Sequence, residues 1–83
     1  MKYKRCTLTT IKGGTGLRDE IINGVFDHYP TVGESFIMIG KSVTKGGVAR
    51  YISTSIVQDV KVDDNVFVFD TENSTYRLDI GAP

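Results

Sequence analysis

The sequence predicts an all-β fold: one small, strongly bent antiparallel barrel of about six to seven short strands. Three observations predict it. Val, Ile, Thr, Tyr and Phe occur in short runs separated by Gly, Asp, Asn and Pro, the pattern of strands punctuated by turns. No stretch long enough for a stable helix carries a sustained apolar stripe at helical spacing. And 83 residues, 40% of them hydrophobic, supply one small core and no second domain.

Each element follows from local chemistry. Lys2–Ile11 reads as a strand with Cys6 and Leu8 on one face and Arg5, Thr7 and Thr9 on the other. Lys12-Gly13-Gly14-Thr15-Gly16 reads as a loop, because three glycines in four positions cost too much backbone entropy inside a strand. Glu20–Asp27 is extended. Tyr29-Pro30-Thr31-Val32-Gly33 is a turn, with Pro30 fixing φ and Gly33 letting the chain reverse. Glu34–Gly40 is a strand, and Lys41–Val48 a loop with Gly46-Gly47 at its tip. Ala49–Ser53 and Ile56–Val62 are strands joined by a Ser53-Thr54-Ser55 corner. Asp63-Asp64 turns into the strand Asn65–Asp70, and Thr71-Glu72-Asn73 turns into Ser74–Ile80. Both connections are short enough for hairpins. A barrel of the Src-homology type is the most economical closure of these strands, with a compact oligonucleotide-binding-type barrel as runner-up.

Alternation identifies where a monomer has apolar surface to spare. Tyr76, Leu78 and Ile80 face one way and Thr75, Arg77 and Asp79 the other, as a strand with one wet face requires. Val66-Phe67-Val68-Phe69 and Phe36-Ile37-Met38-Ile39 are apolar on both faces. A barrel has one interior, so the second face must meet the Gly13–Gly24 segment, a second copy of the chain or an apolar ligand. A chain this short, without a disulfide or an evident metal site, is also marginal alone, and a homo-oligomer is expected.

Charge and composition narrow the function classes. Ten Lys and Arg balance ten Asp and Glu, which argues against a general nucleic-acid or anionic-membrane binder, so no specific nucleic acid is expected as partner. The balance is uneven along the chain: residues 1–50 carry +4 and residues 51–83 carry −4. These charges can simply solvate the two ends of one barrel; the sharper alternatives are head-to-tail complementarity between subunits, or a basic phosphate pocket built from Lys2, Lys4, Arg5, Arg18 and Arg50. The single Cys6 supports neither a disulfide framework nor a cysteine-rich zinc site, and no apolar run is long enough to span a membrane. With no recognisable secretory leader, a cytoplasmic, reducing location is expected.

Catalytic constellations are thin. His28 is the sole histidine, beside Asp27 and Tyr29, and reads as a surface residue before a Pro turn. Asp63-Asp64 lacks the spacing of a calcium loop, and Gly13-Gly14-Thr15-Gly16 lacks the Lys and helix of a phosphate-binding loop. No enzyme activity, metal or cofactor is expected. Binding chemistry is better represented. Arg50-Tyr51 and Tyr76-Arg77 pair a guanidinium with an aromatic ring, the combination that stacks a nucleobase and meets its phosphate. The candidate ligand-binding residues are therefore Arg50, Arg77 and Arg18, with Lys12, for phosphate, Tyr51 and Tyr29 for the base, and Thr54 from the hydroxyl-rich corner.

Pro30-Thr31-Val32-Gly33-Glu34-Ser35-Phe36, Ser53-Thr54-Ser55-Ile56-Val57 and Thr71-Glu72-Asn73-Ser74-Thr75-Tyr76-Arg77-Leu78 together resemble small, mostly uncharacterised β-barrel proteins of tailed phages and bacteria. The resemblance covers about residues 24–80 and rests on turn-and-strand motifs. It implies a β-barrel fold. By analogy of class, it also implies a non-catalytic, homo-oligomeric module that sequesters a small nucleotide-derived immune signal to block host defence. The competing expectation is a protein-interaction module that inhibits or caps a host or viral protein through an apolar strand face or the Gly46-Gly47 loop.

Overall fold

β-branched and aromatic residues at alternate positions build seven strands. In the computed structural model, which describes residues 3–12, 21–43 and 46–81, these are β1 (Lys4–Lys12), β2 (Ile21–Phe26), β3 (Ser35–Ser42), β4 (Gly46–Ile56), β5 (Asp59–Asp63), β6 (Val66–Asp70) and β7 (Thr75–Ile80). All are antiparallel and form one sheet in the order β4-β3-β2-β1-β7-β6-β5. The expected all-β, strongly bent antiparallel architecture is what the chain adopts. The Gly13–Gly16 loop lies outside the described residues.

The bend follows from the connectivity. β4 and β5 stand at opposite ends of the sheet, yet only Val57 and Gln58 separate them in sequence. Laid flat, the six inter-strand spacings between them would be roughly 29 Å. Two residues span far less, so the sheet must roll until its ends nearly meet. The partner changes within those two residues. The Val57 amide donates to the Glu34 carbonyl (2.9 Å) and its own carbonyl accepts from the Gly33 amide (2.9 Å), while the Gln58 amide donates to the Asp70 carbonyl (2.7 Å). β4 and β5 form no ladder with each other, so the ends are joined by chain rather than by strand pairing.

Inside the roll sit Cys6, Leu8, Ile22, Phe26, Phe36, Met38, Val57, Phe69, Tyr76 and Leu78, with Ile52, Val60, Phe67 and Ile80 packed against them. Rings form a chain through this core. Tyr29 lies edge-on to Phe26 (5.4 Å), Phe26 meets Phe36 (5.8 Å), Phe36 meets Phe69 (5.4 Å) and Phe69 stacks on Tyr76 (5.3 Å). Such pairs add about 0.5–1.5 kcal/mol each beyond the area they bury.

The largest departures from the expected boundaries lie at two connections. Ser53-Thr54-Ser55 is no corner: β4 runs through it to Ile56, and the break comes at Val57-Gln58. Thr54 holds the ladder together across the irregularity there. Its Oγ1 accepts from the Phe36 amide (3.0 Å) and donates to the Ser55 carbonyl (2.7 Å), where the β3–β4 register slips between Ser35 and Ile37. The Lys41–Val48 loop is also shorter than expected, because β3 continues to Ser42 and β4 begins at Gly46.

Candidate functional site

The apolar surplus of β3 points outward. Phe36 and Met38 are buried, whereas Ile37 and Ile39 on the alternate face are 40% and 43% exposed. Register then assembles a patch on the outside of the sheet. Ile39 stands opposite Val25 on β2 and Tyr51 on β4, so Val25, Ile39 and Tyr51 form one cross-strand row. Tyr3, just ahead of β1, and Ile37 flank it, and the patch borders a cavity of about 390 Å³ whose walls also carry Asp27, His28 and Glu34. Tyr51, 66% exposed, is the outermost ring.

The electrostatics of this cavity are acidic. Asp27 and Glu34 line it, and no Lys or Arg does among the described residues. His28 is exposed, with its Nδ1 3.0 Å from Asp27 Oδ1. Among the described residues no cluster of His, Cys, Asp or Glu is arranged to hold a metal ion.

The expected binding residues do not converge. Tyr51 lines the cavity. Arg50, opposite Gly40, points to the other side of β4, because successive strand residues alternate. Arg77 lies on β7, four strands along the sheet from β4, where its guanidinium pairs with Asp79 (3.2 Å). Tyr29 stacks on Phe67 (5.2 Å, 24° between planes) and caps one end of the core. Thr54 spends its hydroxyl on the β3–β4 register. Arg18 and the side chain of Lys12 lie outside the described residues. Tyr76, the ring of the Tyr76-Arg77 pair, is buried in the core, as its place on the apolar face of its strand requires.

Sequence reading missed Asp27, Glu34 and Tyr3 as neighbours of one surface. The double apolar alternation of Phe36–Ile39 signalled the face. The carboxylates gave no signal, because strand pairing across β2 and β3 brings them there.

Two other concavities are less specific. One runs from Arg5 to Gly81 beside buried Cys6, and the other is a polar turn around Asp70–Thr75. Burial pushes the Cys6 thiol from its ordinary 9.0 up to about 11, so it is held protonated and unreactive. Among the described residues no helix is long and apolar enough to cross a membrane. Compared with family models, curated proteins and solved structures, the chain matches none.

Proposed function

We propose that the protein is a non-catalytic binding module that works by protein–protein contact through the outer face of β2, β3 and β4. One observation carries the reading: Ile37, Ile39, Tyr51 and Tyr3, each at least 40% exposed, form a contiguous apolar surface on the outside of a domain whose core is already complete. Apolar patches of this kind on small domains are typically contact surfaces. A reducing compartment belongs to the same reading, supported by the one cysteine, free and buried.

The other expectation, sequestration of a nucleotide-derived signal, rests on resemblance of class. A nucleotide pocket needs cations facing its phosphates. The cavity beside Tyr51 presents Asp27 and Glu34 instead, and Arg50 and Arg77 point elsewhere. Protein contact is therefore the better-supported function.

The test compares Ile39→Lys and Arg77→Ala with the wild type, purified from a bacterial host under native conditions. Both sites are exposed, so each variant is expected to fold with a stability change within about 0.5 kcal/mol. Native mass spectrometry should show wild type and Arg77→Ala in protein assemblies that Ile39→Lys loses. Stoichiometric uptake of a cyclic dinucleotide or an ADP-ribose derivative, abolished by Arg77→Ala and untouched by Ile39→Lys, would overturn the reading.

A further inference from the structure

We propose that a second copy of this chain covers the apolar face, by laying its own β4 antiparallel against β4 with the two-fold axis at Tyr51. The assignment rests on reading the outer face as a protein-contact surface.

The sheet has two edges, and they are differently defended. β5 has five residues, of which Asp59, Lys61 and Asp63 are charged, and short charged edges resist pairing. β4 has eleven residues, no proline and one charged side chain, Arg50. Five successive residues from Gly47 to Tyr51 are exposed, with Val48 at 85%. Among the described residues β4 is paired on its β3 side only. Its other side offers a row of amide and carbonyl groups suited to strand addition.

Antiparallel pairing of a strand with its own copy is two-fold by construction, and register then decides whether it is favourable. An axis at Arg50 sets two guanidinium groups directly opposite, and like charges there are destabilising. An axis at Tyr51 sets ring beside ring, Arg50 opposite Ile52 and Ala49 opposite Ser53. It also prolongs the row Val25–Ile39–Tyr51 into the same row of the second copy, so both patches become one. Charge agrees with this direction. Lys41 lies near the start of β4, between the Gly40–Arg50 and Ser42–Gly46 pairs, and Glu34 adjoins its end through the Ser35–Ile56 pair. Antiparallel addition brings the basic end of each copy beside the acidic end of the other. Zero net charge leaves no overall repulsion to overcome.

Cysteine scanning reads the register directly. A disulfide needs Cα atoms within about 7 Å and Cβ atoms that do not point apart, which across a strand pair only directly opposed residues combine. Wild-type protein should show twice the chain mass in native mass spectrometry and light scattering, and Tyr51→Lys half of that. Tyr51→Cys should give a covalent dimer on mild oxidation. Ala49→Cys and Ser53→Cys should each stay uncrosslinked alone and crosslink when mixed. Cys6, 3% exposed, does not compete. Circular dichroism establishes that each variant is folded. A dimer that persists in Tyr51→Lys and fails to crosslink at position 51 would overturn the proposal, as would open-ended chains of copies. A wild-type monomer also overturns it. In that case bis-ANS separates the two failures. Dye bound by wild type and lost in Ile39→Lys leaves the contact face standing with a different partner, and absence of dye binding removes the face as well.

Discussion

The Oγ1 of Thr54 sits where β3 and β4 fall out of step, accepting from the Phe36 amide and donating to the Ser55 carbonyl. Thr54→Val leaves a part-buried amide without its acceptor, so stability in urea should fall by about 1–3 kcal/mol. Thr54→Ser keeps the oxygen and should retain most of it. Gly24 is constrained differently. It stands opposite Gly40, and a Cβ there would overlap the Ile39 carbonyl oxygen and lie 2.6 Å from the Gly40 Cα. Both obstacles are backbone, which cannot rotate away, so Gly24→Ala should cost about 3 kcal/mol, measured by thermal melting. Cys6 sets a pH dependence. Its thiol ionises near 9.0 when unfolded and near 11 when folded, so between those values the unfolded chain binds fewer protons. The contribution is full below pH 9 and lost as pH rises towards 11. Urea midpoints measured across that range should decline in wild type and flatten in Cys6→Ala.

Strand by strand, sequence and structure agree where alternation speaks and diverge where it is silent. Phe36 and Met38 turn in while Ile37 and Ile39 turn out, as period-two reading requires. The β5–β6 and β6–β7 hairpins fall where Asp63-Asp64 and Thr71-Glu72-Asn73 place them. The β4–β5 break was not legible. Ser and Thr favour turns locally, yet Thr54 serves the ladder, and the true break begins at Val57, an apolar residue that is buried. Of the site, the outward face of β3 was readable and its acidic neighbours were not, because cross-strand register is a long-range property. The β5–β6 turn supplies a further test. Asp64 holds φ at 58°, a left-handed conformation that β-branched residues resist. Asp64→Val should destabilise the hairpin by about 1–2 kcal/mol in chemical denaturation, and Asp64→Gly should be neutral or better.

Across the whole molecule, stability concentrates where the sheet is paired on both sides and the rings meet. Phe69 is fully buried and touches Phe36 and Tyr76. Phe69→Ala should remove about 3–5 kcal/mol, enough to unfold much of a marginal domain, as far-ultraviolet circular dichroism would show. The strands at the middle of the sheet, β1 and β7, come from opposite ends of the described chain, with Cys6 opposite Ile80. That pairing has a consequence for synthesis in a cell. β1 leaves the ribosome early and can find β2 soon after, but its other neighbour is encoded more than sixty residues later. At about 5–20 residues per second, β1 waits roughly 3–13 s with one flank open. The nascent chain is therefore most vulnerable to mispairing and chaperone capture before β7 is made, and slowing translation near the codons for Thr75–Ile80 should lower the soluble yield.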